Sequence, residues 1–181
     1  MSIPSEIERE SIRYNLGGPL TGAFKLINYL KDHHEHINAP IFNELTPIQL
    51  AARRGHVYFV KWVLEHGGDA DAMGFPLSSA MLARTPDVLD VLLTHGVNME
   101  YRDDRGETAL HQYAACGSLE MLKICMKHNA GHALVDNQQQ SAFQLLERHY
   151  PLMCSLDFPE IVWLRQVSQQ VGRVTKRAVR K

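Results

Sequence analysis

One run of residues occurs twice, and that recurrence restricts the fold more than any other feature. Thr46-Pro47-Ile48-Gln49-Leu50-Ala51-Ala52-Arg53-Arg54-Gly55-His56 returns sixty-two residues later as Thr108-Ala109-Leu110-His111-Gln112-Tyr113-Ala114-Ala115-Cys116-Gly117. Between the copies, Val63-Leu64-Glu65-His66-Gly67-Gly68-Asp69 is echoed by Leu92-Leu93-Thr94-His95-Gly96-Val97-Asn98. Self-similarity at a step near 33 residues implies stacked supersecondary units, each burying its apolar face only against a neighbour. Such a chain presents a surface far more often than it builds a catalytic cavity.

Each unit reads as two helices joined at a turn. Thr46 is an N-cap with Pro47 at the first helical position, and Ala51 and Ala52 are small enough to let a second helix approach closely. Gly55 turns the chain. Val60, Val63 and Leu64 then form an i, i+3, i+4 stripe that ends at Gly67, where a left-handed cap needs no Cβ. The next unit aligns through Pro76 to Ala80 with Val88, Leu89, Leu92 and Leu93. It lacks four residues near Met73 and Gly74 and carries Arg84 where the turn glycine is expected. The third opens at Asp103-Asp104-Arg105-Gly106-Glu107-Thr108, with Leu122, Cys125 and Met126 as its stripe and Asn129 in place of the capping glycine. The fourth opens at Asp136 and departs through His149-Tyr150-Pro151. Stepping back from Gly55 gives Gly22, so Phe24, Ile27 and Leu30, then Ile37-Asn38-Ala39, are expected to form a second helix and its exit.

These residues resemble ankyrin repeats, whose signature is a Thr-Pro-Leu-His-x-Ala helix start on a 33-residue period. The resemblance is strong over 37–71 and 98–132 and weaker elsewhere. It implies an all-α repeat solenoid with short β-hairpin fingers, an ankyrin-type stack of four to five helix pairs. The expected division is a repeat domain over 1–166, comprising an N-terminal capping unit (4–38), repeats at 39–71, 72–100 and 101–133, and a C-terminal capping unit (134–166). A basic tail over 167–181 follows. The four-residue deletion predicts a shortened finger around Asp71 to Phe75, and Gln139 replaces the finger glycine of the last unit, predicting a non-ideal turn.

The resemblance also implies that a protein partner is held along the finger tips and the concave helix face. Carried over residue by residue, the partner-binding positions are Phe42, Asn43, Leu45, Arg53 and Arg54 in the first full unit and Leu82 in the second. The third contributes Asp104, Arg105, Glu107 and Cys116, and the last Asn137, Gln138, Arg148 and His149. Phe42, Leu45 and Leu82 are apolar where water is expected; the alternative is packing of Phe42 and Leu45 onto the N-terminal cap. Within the opening run, Arg53 and Arg54 are the positions that the fold leaves free.

Other chemistry finds little support. The ten histidines lack converging metal-ligand spacing. His33-His34-Glu35-His36 lies where a helix should end and reads as a solvated helix end. His66, His95 and His128 recur at one repeat position, and His111 at the signature position is expected to hold neighbouring hairpins together. Cys125 reads as core. Cys116 follows His111 by five residues, but that histidine belongs to the scaffold. No glycine-rich phosphate loop or paired-acid motif occurs, so no enzyme activity, cofactor or metal is expected.

The three cysteines, an odd count without C-x-x-C spacing, suit a reducing compartment. With no apolar run near the ~20 residues of a membrane span and no apolar leader, the expectation is a cytoplasmic monomer, a nuclear or host-cell cytosolic location being compatible. Residues 1–164 hold 13 bases against 20 acids, and residues 165–181 hold six bases and no acid. That basic end suggests the alternative function, association with nucleic acid or an anionic membrane.

Overall fold

The computed structural model describes residues 21–41, 43–70, 85–129 and 134–178, with side chains as far as Gln169. The chain divides between Val97 and Asn98 into two compact units. The first holds α1 (Thr21–Asp32), a 3-10 turn (His34–His36), α2 (Pro47–Arg53), α3 (Val57–Glu65) and α4 (Pro86–Thr94). The second holds α5 (Ala109–Ala115), α6 (Leu119–Lys127), α7 (Ala142–His149), the single turn α8 (Pro151–Cys154) and α9 (Pro159–Ala178).

Helix α2 starts where the sequence places its cap, and the structure adds two more caps of the same kind. Thr46 caps α2 through a reciprocal box, its hydroxyl accepting from the Gln49 amide and its own amide donating to Gln49 Oε1, at 3.5 and 2.9 Å. Ser141 and Gln144 repeat the arrangement at α7, at 3.3 and 2.8 Å. At α5 an imidazole takes the place of the glutamine, and the Thr108 amide donates to His111 Nδ1 at 3.2 Å. Each box satisfies donors that a helix start leaves without partners, contributing about 1 kcal/mol.

In the first unit α2 packs on α3 and α3 on α4. Ile48, Leu50, Ala51, Ala52, Val60, Val63, Val88, Leu89 and Leu92 are fully buried there, each larger aliphatic contributing roughly 1.5–3 kcal/mol by leaving water. Gly55 makes this closeness feasible. It turns at φ +69°, and a Cβ there would lie 2.7 Å from Thr85 Cγ2. In the second unit α5 packs on α6 and α7, and α9 on α6 and α7, around Leu110, Tyr113, Leu122, Cys125, Leu146, Ile161 and Leu164. The Cys125 thiol is enclosed enough that burial pushes its pKa up to about 12, in keeping with its expected core role.

α1 buries Ala23, Leu26, Ile27 and Leu30 and leaves Phe24 57% exposed. One expectation needs correction. The histidine run after α1 is only partly solvated: His36 is 8% exposed. Its Nδ1 lies 2.6 Å from the Tyr29 hydroxyl, and the two rings stack with centroids 5.7 Å apart. A tyrosine one helical turn upstream converts the run into packing. The expected shortened finger, the Pro76 helix and Arg84 lie outside the described residues.

The described residues hold no strand, but tight turns with isolated bridge positions, at Leu45 and in the antiparallel pair of Val135 and Ser141. The turns are nonetheless regular. The Asp103 amide donates to the Glu107 carbonyl at 3.0 Å, and 33 residues on the Asp136 amide donates to that of Gln140 at 3.0 Å. In both, the aspartate Oδ1 accepts two amides from inside its own turn, at 2.8–2.9 Å, a local pattern that fixes the loop without a strand pair.

Candidate partner-binding surface

The site positions divide between the two units. In the first, Asn43 is exposed at φ +43°, beside Glu44 at φ +63°. Leu45 is half-buried, its carbonyl accepting from the Ile41 amide at 2.9 Å. Arg53 is exposed in the last turn of α2, whereas Arg54 is the half-buried C-cap, its amide donating to the Leu50 carbonyl. Its charge reaches His56, whose pKa is lowered by burial and then by this guanidinium. Of the two arginines, Arg53 is thus the more open to water. Phe42 and Leu82 lie outside the described residues.

In the second unit four site positions come together on two consecutive turns. Asp104 and Arg105 on one, Asn137 and Gln138 on the next, are all exposed. The Asn137 amide donates to the Arg105 carbonyl at 2.9 Å, and its Nδ2 donates to the Asp104 carbonyl at 3.1 Å. His111 joins the same turns from below, with Nε2 3.2 Å from the Gln140 carbonyl and Nδ1 2.8 Å from the Thr108 hydroxyl. With Nδ1 accepting from the Thr108 amide, Nε2 carries the proton and donates; the tautomer follows from the partners. Burial lowers the imidazole pKa, the Gln140 hydrogen bond opposing it. The expected role of His111, holding adjacent turns together, is what this geometry performs.

Glu107 is half-buried under these turns. Burial, followed by the charge of Asp103, holds its carboxyl above the usual range. Cys116 is exposed at the end of α5, and Arg148 and His149 are exposed in the last turn of α7. The recurrent histidines close helices: His66 Nδ1 lies 2.7 Å from the Trp62 carbonyl, and His95 Nδ1 2.9 Å from that of Val91. Among the described residues no three His, Cys, Asp or Glu side chains converge as metal ligands, and no helix is long and apolar enough to cross a membrane.

Sequence reasoning missed the exposed apolar residues. Tyr58 is 65% exposed and Leu152 84%, with Leu156 and Phe158 also in water. The last three lie where the fourth unit departs from the repeat, so the departure was itself the signal. Nor did it notice that Glu44, two residues before Thr46, matches Gly106, two before Thr108.

The C-terminal helix α9 runs without interruption through position 167 to Ala178. It is tied down at its start: Arg165 Nη2 donates to the Cys154 carbonyl at 2.8 Å and its guanidinium lies 5.2 Å over the Phe143 ring, while Ser168 Oγ receives the Phe143 amide at 3.4 Å.

A model of three consecutive ankyrin repeats matches residues 20–103, and a single ankyrin-repeat model matches residues 105–138. The chain belongs to the ankyrin-repeat family, whose repeats are generally non-enzymatic protein-interaction modules. Among curated proteins it is 24% identical over 126 residues to the ankyrin repeat protein FPV034 of fowlpox virus (strain NVSL), covering 69% of this chain and 30% of that one. It is 32% identical over 99 residues to the palmitoyltransferase AKR1 of Lachancea kluyveri, covering 50% of this chain and 13% of that one. It is 28% identical over 71 residues to alpha-latroinsectotoxin-Lt1a of Latrodectus tredecimguttatus, covering 39% of this chain and 5% of that one. The chain thus spans under a third of the length of each of these relatives.

Proposed function

We propose that the chain is a non-enzymatic protein-binding module, an inhibitor or adaptor that works by occluding or scaffolding a folded partner. Residues 1–166 would act as the binding domain, with the turn segments serving as fingers. The observation that carries the reading is the pair of linked turns, Asp104-Arg105 and Asn137-Gln138. Polar side chains stand in water there on backbone already fixed by Asp103, Asp136, Asn137 and His111, so binding need not order the loops. Arg53, Arg54 and their neighbours are a separate proposed contact, on the helix face of the first unit. The reading extends to a viral or bacterial protein acting on host proteins in host-cell cytosol or nucleus; a fowlpox virus ankyrin repeat protein is among the chain's relatives.

The test is affinity capture from a lysate with mass spectrometry, run beside Arg53→Glu with Arg54→Glu and beside Asp104→Ala with Arg105→Ala. Loss of captured protein in a variant at unchanged melting temperature supports the contact of the unit that it alters, and undiminished capture by both refutes the reading.

The alternative, nucleic acid or anionic membrane bound through the bases of 167–181, is favoured by the continuity of α9. It predicts binding that weakens steeply with salt and is lost on truncation. The truncation must end at Gln169, because a cut at Leu164 would also remove the Arg165 and Ser168 anchors.

A further inference from the structure

We draw no further inference here: the strongest candidate, the exposed apolar residues Leu152, Leu156 and Phe158 in α8 and the turn leading into α9, carries none because nothing in the structure shows what covers them.

Discussion

Two turns of the second unit, 103–107 and 136–140, make the same hydrogen bonds with different residues at the left-handed position. Gly106 stands at φ +73° in one and Gln139 at φ +61° in the other. In both, an aspartate carboxylate collects two amides, so the aspartate sets the loop and the glycine is not needed for closure. What differs is the neighbour. A Cβ on Gly106 would come within 2.4 Å of Asn137 Oδ1 and 2.9 Å of its backbone nitrogen, whereas Gln139 is exposed. Gly106 therefore supplies room for the next turn as well as a backbone conformation.

The largest expected effect follows directly. Gly106→Ala adds left-handed strain of about 1–2 kcal/mol to a collision with backbone that cannot swing aside, for a total loss of about 2–4 kcal/mol in urea unfolding. The variant should also weaken whatever partner depends on Asp104 to Gln138. A loss below ~1 kcal/mol would mean that the two turns are not held as closely as the Asn137 hydrogen bonds indicate.

The three capping boxes extend the comparison to pH. Gln49 and Gln144 cannot titrate, but His111 does the same work with a ring that burial keeps neutral. Its folded pKa lies below the unfolded value near 6.5. Its full contribution is therefore present above that value and is lost as pH falls through it, because the unfolded chain takes up the proton first. His56 is lowered too and acts in the same direction, while Glu107, with its raised carboxyl, acts in the opposite one. The difference between wild type and His111→Gln isolates the ring. The variant retains a side-chain acceptor for the Thr108 amide and should lose about 1 kcal/mol at pH 7, through the Gln140 contact. It should show a shallower decline between pH 7 and 5. Parallel curves would remove His111 as the source of acid sensitivity.

These contrasts mark how far the sequence could be read. The helix pairs, the cap at Thr46 and the turn at Gly55 were legible because each rests on interactions within four residues or on the 33-residue step. Asn129 was legible as a glycine substitute and adopts φ +48°. The site positions were legible only as exposed repeat positions. Arg54 proved half-buried because a C-cap residue is drawn against its helix end, which spacing alone does not reveal. His36 and Tyr58 escaped for opposite reasons. One polar residue finds Tyr29 through a fold in the chain, and one aromatic stands a single step off the apolar stripe, where periodicity predicts nothing about it.

The smallest effect tests whether Gln139 is tolerated or selected. Glycine relieves left-handed strain of roughly 1 kcal/mol but enlarges the freedom of the unfolded chain by a comparable amount. Gln139→Gly should therefore change stability by under about 1 kcal/mol, with stabilisation favoured because the exposed glutamine side chain adds no described hydrogen bond of its own. Its amide still donates to the Asp136 carbonyl at 3.1 Å, a bond that glycine retains. A stabilisation coupled to weaker partner capture would show that Gln139 is held in a strained conformation for binding. Unchanged capture would leave the aspartate-fixed turn indifferent to the residue at its tip, the same tolerance that places Glu44 at φ +63° in the first unit.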